Sequence, residues 1–90
     1  MLMLKIQRIS EKGETRLLLS GELRSEHINE VRIEIASVAA PVTLDLQEVG
    51  LVDIDGIRFL NECRTQGAKV KNGAPYIREW MRQERRAQKR

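Results

Sequence analysis

The run Val42-Thr43-Leu44-Asp45-Leu46 constrains the fold more than any other segment. These five largely apolar and β-branched residues lie between Pro41 and the polar pair Gln47-Glu48, and they read as a buried strand. Before the run, Ile28, Val31, Ile35 and Val38 recur at spacings of three, four and three, which is one face of an amphipathic helix ended by Pro41. After it, Ile57, Leu60 and Cys63, with Phe59, mark the inner face of a second helix, closed by Gly67. Strands alternating with helices point to an α/β layer whose sheet is partly parallel, with right-handed crossovers.

The flanks extend this order. Lys5 to Ile9 reads as a first strand, Ser10 to Glu14 with Gly13 as a turn, and Thr15 to Ser20 as a second strand stopped by Gly21, together an antiparallel hairpin. Ser25 is the expected cap of the first helix, with Glu26 in its first turn. A second short apolar stretch, Val49 to Val52, leads into Asp53-Ile54-Asp55-Gly56. Ala68 to Lys71 reads as a short strand centred on Val70, and Asn72-Gly73 as a turn. Pro75 opens a third helix on which Tyr76, Ile77, Trp80 and Met81 share a face, Trp80 packing on the sheet or, alternatively, anchoring an interface. The expected fold class is a small α/β domain: a mixed, largely parallel sheet of about four strands with about three helices.

Composition narrows the function. A 90-residue chain with 41% hydrophobic and 32% charged residues is one folded domain with a thin core, too small for separate cofactor and substrate domains. One cysteine, Cys63, excludes an internal disulfide and a cysteine-built zinc site, and reads as a core residue. One histidine, His27, removes two-histidine catalysis and reads as a surface residue. No cofactor and no metal are expected. No apolar run approaches a membrane span and the start does not have the pattern of a secretory signal, so the expected location is cytoplasmic. Charge is uneven: residues 1–81 hold eleven basic and twelve acidic residues, whereas Arg82, Arg85, Arg86, Lys89 and Arg90 face only Glu84. The expected organisation is a domain over 1–81 and a basic tail over 82–90, which suits weak contact with an anionic membrane or a solvated helix end. No aromatic residue lies in the tail to stack on bases, so specific nucleic-acid binding is not expected.

Three residue groups resemble the STAS family, the fold of bacterial anti-sigma factor antagonists and of the cytosolic ends of sulfate transporters. Leu19-Ser20-Gly21-Glu22-Leu23 is similar to the family's Gly-Glu-Leu at the end of its second strand. Val42 to Leu46 resembles its apolar-apolar-Leu-Asp-Leu strand, and Asp53-Ile54-Asp55-Gly56-Ile57, with Leu60 one turn on, stands where the family has Asp-Ser-Ser-Gly-Leu. Gly67-Ala68-Lys69-Val70 fits the last strand, so the resemblance spans roughly residues 4–82. In phospho-regulated members the serine before the glycine is the switch. Here that position is Asp55, its neighbour is Ile54, and Arg24 follows Gly-Glu-Leu where Asp is common. Asp55 either caps the second helix or imitates phosphoserine in part, with about one negative charge against ~1.5–2. Asp53 is expected to anchor the loop by accepting main-chain amides.

The segment Val52 to Gly56 also resembles the first motif of haloacid-dehalogenase-type phosphatases, in which a carboxylate pair at a strand end works with magnesium. Ile57 stands in place of that motif's threonine, and only 34 residues follow Gly56. This remains the remote alternative. The resemblance to STAS domains implies a non-catalytic, protein-binding regulatory module. Its expected contact surface is Asp53, Ile54, Asp55, Gly56, Ile57, Arg58 and Glu62, flanked by the first helix, with Ile54 and Ile57 giving apolar contact if exposed and Arg58 and Glu62 giving charge. The implied partner is an anti-sigma factor of the histidine-kinase ATPase type. The alternative is a transporter ATPase, with the chain as accessory subunit of an ABC-type lipid or solute transporter.

Overall fold

A two-residue turn at Lys12-Gly13 joins β1 (Leu4–Glu11) to β2 (Glu14–Leu23) in a hairpin. The computed structural model describes residues 3–39 and 41–88; the chain start Met1-Leu2, Ala40, and the tail residues Lys89 and Arg90 lie outside the described residues. The remaining elements are α1 (Ser25–Ala36), β3 (Val42–Val52), α2 (Ile54–Thr65), β4 (Lys69–Lys71) and α3 (Pro75–Gln88). The sheet order is β1-β2-β3-β4, with β1 antiparallel to β2 and the other two pairs parallel. Because β3 and β4 add successively on one side, two right-handed crossovers put α1 and α2 on the same face.

That face holds the core. Leu17 and Leu19 of β2, Leu44 and Leu46 of β3, Val31 of α1, Ile57 and Leu60 of α2 and Ile77 of α3 are all at 1% exposure or less. Burying each such side chain contributes about 1.5–3 kcal/mol before entropy is counted. Ile28, Ile35 and Val38 pack against this cluster, so α1 presents the expected stripe. Trp80 is half-buried against the same core. Tyr76 is 46% exposed and lies at the edge of the expected face of α3, where its hydroxyl donates to the Gly50 carbonyl at 2.7 Å.

Several local expectations change. The two apolar stretches 42–46 and 49–52 form one strand, because a register shift sets Leu46 and Gln47 opposite the single residue Leu19 before pairing resumes at Glu48 and Val49. Gly21 does not stop β2; it pairs with Leu4 at φ +103°, and the Met3 carbonyl occupies the space a Cβ would need. Ser25 is the first residue of α1 rather than its cap, a position held by Arg24.

Asp45, the acidic residue inside the apolar strand, is 1% exposed and fully engaged. It accepts from Arg16 of β2 (3.2 Å), the Gln47 amide (3.0 Å) and the Asn72 side chain (3.1 Å). A buried carboxylate needs such partners, and these three tie β2, β3 and the β4–α3 turn together.

Candidate functional site

The candidate site grows from Asp53, the residue between β3 and α2. Its backbone is extended, and its Oδ1 accepts the Gly56 amide at 2.8 Å, which makes it the N-cap of α2. Its Oδ2 accepts the Ser25 amide at 2.9 Å, so one carboxylate joins the starts of α1 and α2. The Asp53 amide donates in turn to the Leu23 carbonyl at 3.3 Å. Asp53 thus anchors the loop as its residue type suggested. Each of its two oxygens accepts one main-chain amide.

Gly56 lets the two layers close. A Cβ there would sit 2.6 Å from both the Leu23 carbonyl and Val52 Cγ1, so only glycine lets the first turn of α2 approach the ends of β2 and β3 this closely. Ile57 is 0% exposed and packs in the core, which corrects the expectation that it could offer apolar contact to a partner; helical spacing from Gly56 turns it inward. Ile54 is half-buried.

Asp55 is exposed in the first turn of α2. It is not the helix cap, since Asp53 holds that place one residue before the helix begins. Among the described residues its carboxylate takes part in no hydrogen bond or ion pair, and the partial positive charge of the helix N-terminus favours an anion there. Asp55 lines a shallow groove of about 380 Å³ that runs between Ser25, Ile28 and Asn29 of α1 and Arg58 and Glu62 of α2.

The groove walls are already paired. Arg32 of α1 donates twice to Glu62, once at 3.1 Å, and its guanidinium lies 5.0 Å from the centre of the Phe59 ring. The Arg32 hydrogen bond holds the Glu62 carboxyl below its ordinary value, and the same bond raises Arg32. Arg58 binds Glu84 of α3 at 3.0 Å. The structure therefore sets Asp53, Ile54, Asp55 and Arg58 at the first turns of α2 and Glu62 one turn beyond Arg58; Asp55, Arg58 and Glu62 line the groove, and Gly56 and Ile57 are buried. Asn29 and Arg32 were not singled out in the sequence, and Ser25 only as a helix cap, although their spacing of four and three places all three on one side of α1. His27 is half-buried and accepts from the Arg24 amide at 3.2 Å, a role within the start of α1.

Further along α2, burial pushes the Cys63 thiol up to about 11, as suits a core residue. Among the described residues no cluster of three His, Cys, Asp or Glu side chains could hold a metal ion, and no helix is long and apolar enough to cross a membrane.

No family model matches the chain, and no curated protein matches it. Solved structures do match. The anti-sigma factor antagonist SpoIIAA in its unphosphorylated form superposes with a TM-score of 0.64 at 16% identity, over 89% of this chain and 82% of that one. The STAS domain of an antisigma-factor antagonist from Rhodobacter sphaeroides gives a TM-score of 0.51 at 16% identity, over 82% of this chain and 92% of that one. The crystal structure of Mglu gives 0.60 at 22% identity over 72% of this chain, which corresponds to only 18% of the Mglu chain. At these identities the likeness is one of fold: the chain has a STAS-like fold, that of the anti-sigma factor antagonists.

Proposed function

We propose that this chain is a non-catalytic regulatory module that binds an ATPase-type protein partner, an anti-sigma factor of the histidine-kinase type. The binding surface runs along α2 from Asp53, Ile54 and Asp55 at its start through Arg58 to Glu62, with the facing side of α1. The observation that supports this most is Asp55: an exposed carboxylate on the rim of the α1–α2 groove, with no internal partner among the described residues and no part in capping the helix. A charged side chain that the fold itself does not use is free to take part in recognition. A serine kinase cannot act on it, so docking here is fixed or partly imitates the phosphorylated state.

The test starts with capture of the tagged chain's partner from its native lysate, identified by mass spectrometry, followed by affinity measurement on the purified pair. Asp55→Arg should weaken binding at least about tenfold, the cost of reversing a charge at an interface; an unchanged affinity would remove this surface from the proposal. Asp55→Ser should bind at least as well as the native chain if the carboxylate imitates phosphoserine, and a large loss would leave Asp55 as a direct contact. The absence of the serine pair at 54 and 55 favours one second reading, an accessory subunit seated on the ATPase of an ABC-type lipid or solute transporter. The identity of the captured ATPase separates the two.

A further inference from the structure

The arginines of this chain divide into two groups. Arg8, Arg16, Arg24, Arg32 and Arg58 each meet a carboxylate, respectively Glu34, Asp45, Glu22, Glu62 and Glu84. From residue 64 onward the pattern changes. Among the described residues Arg64, Arg78, Arg85 and Arg86 have no carboxylate within ion-pair distance, and only Arg82 has one, Glu79. Residues 1–63 hold seven basic and eleven acidic side chains, and residues 64–90 hold nine basic and two acidic.

The fold gathers this excess. Arg64 at the end of α2 and Arg78, Arg82 and Arg85 of α3 line one cavity of about 200 Å³ beside β4. Its apolar wall is Leu46, Val70 and Met81. Arg85 is held by a relay through Asn61, which is 5% exposed: Asn61 donates to the Met81 carbonyl at 2.9 Å and accepts from Arg85 at 3.2 Å. α3 runs unbroken through Gln88, so Arg82 and Arg85 are held by helix and by contact with α2.

Four arginines lining one concavity, with Glu79 the one carboxylate bound to any of them among the described residues, favour an anion there. The geometry points to a binding site for a small soluble diphosphate, formed by Arg64, Arg78, Arg82 and Arg85, in a cavity that shares no lining residue with the groove of the partner surface. Three features select this ligand class. Planar guanidinium forks match phosphoryl oxygens in pairs, where lysine offers only a point charge. Four arginines less Glu79 leave about three positive charges, more than one carboxylate can balance and close to what two phosphoryl groups carry. The volume is below the ~300–1,000 Å³ of drug-sized ligand sites, which fits a compact oxyanion and leaves no room for a large organic body. No aromatic side chain lines the cavity to stack a base, and no exposed large apolar residue lines it to enter a bilayer.

The experiment is a calorimetric and amide-shift titration of the full chain with pyrophosphate at low salt. Parallel arms use inorganic phosphate, vesicles containing phosphatidic acid and a short DNA duplex. Saturable pyrophosphate binding is expected, with the shifts confined to the end of α2, β4 and α3. The double variant Arg64→Gln/Arg78→Gln, altered only at two exposed side chains, should weaken it at least about tenfold while keeping the thermal midpoint. No saturation by about 10 mM pyrophosphate overturns the proposal, as does equal binding by the double variant. Binding to vesicles or duplex without saturable pyrophosphate binding also overturns it and assigns the arginines to a membrane or nucleic-acid surface instead.

Discussion

On the side of α2 that faces α1, from its start to Glu62, Asp53 puts both oxygens on main-chain amides, Glu62 is matched by Arg32, and Arg58 is matched by Glu84. At its end, Arg64 joins Arg78, Arg82 and Arg85 around a cavity that holds no acidic side chain. One helix thus carries two regions built on opposite terms. At the start, most charges are satisfied within the fold and help to hold it, and the exposed Asp55 is the exception that faces outward. At the end, most charges have no carboxylate counterpart among the described residues, so their removal should cost the fold little. The comparison teaches that a charged residue's role shows in its partners more than in its type.

Substitutions can break or sharpen this contrast. The largest effect is expected at Gly56→Val, which forces a side chain against the Leu23 carbonyl and Val52 and should lower stability by about 3 kcal/mol in chemical denaturation. A near-neutral result would mean that α2 can back away from the sheet, and the start of the helix would not be the rigid region described. Asp53→Ala comes next. It leaves the amides of Gly56 and Ser25 without their acceptor and should cost about 2 kcal/mol, with the protection of both helix starts against hydrogen exchange falling together. Loss of protection at α2 alone would show that Asp53 does not couple the two helices.

Between the two regions, Cys63 gives a pH test. Its thiol is raised from an ordinary 9.0 to about 11 by burial, so the folded chain keeps its proton after the unfolded chain has lost it. That contribution is complete below pH 9 and drains as pH rises towards 11, about 1 kcal/mol being lost near pH 10. Cys63→Ala should flatten this part of the pH profile, and an unchanged slope would assign the loss to other groups. The smallest effect is expected for Arg64→Gln and Arg78→Gln, each within about 0.5 kcal/mol of the native chain when no anion is present. A loss of more than 1 kcal/mol, on the scale of a buried hydrogen-bond defect, would place these arginines among the structural charges instead.

Much of the fold was legible because hydrophobic period carries it directly. The stripe Ile28-Val31-Ile35-Val38 and the inner face Ile57-Leu60-Cys63 needed only helical spacing to be seen, and both pack as that spacing implies. The strand 42–46 was recognisable, but its continuation through Gln47 and Glu48 was not, because a bulge is a relation between two strands and leaves no mark in either one. Gly21 was misread for a similar reason: glycine ends many strands, yet here it serves the close passage of the Met3 carbonyl. Of the candidate site, the segment 53–58 was found from its motif. The inward turn of Ile57, the transfer of the cap from Asp55 to Asp53 and the facing residues of α1 were not, since each depends on where α1 and the sheet lie.

The sequence by itself determined the alternation of strands and helices, the STAS-like class and the carboxylate at position 55, because periodicity and residue chemistry are local properties of the chain. It also placed an excess of basic residues near its end, and there its information stopped. Only the tertiary structure decided that Arg64 and the arginines of α3 share one cavity, that Asp45 is a buried tie, and that Asp53 joins two helices from 28 residues away in sequence. The physical reason is that charge acts through space. A carboxylate or a guanidinium is neutralised, buried or left free by neighbours that the chain brings to it only when it folds.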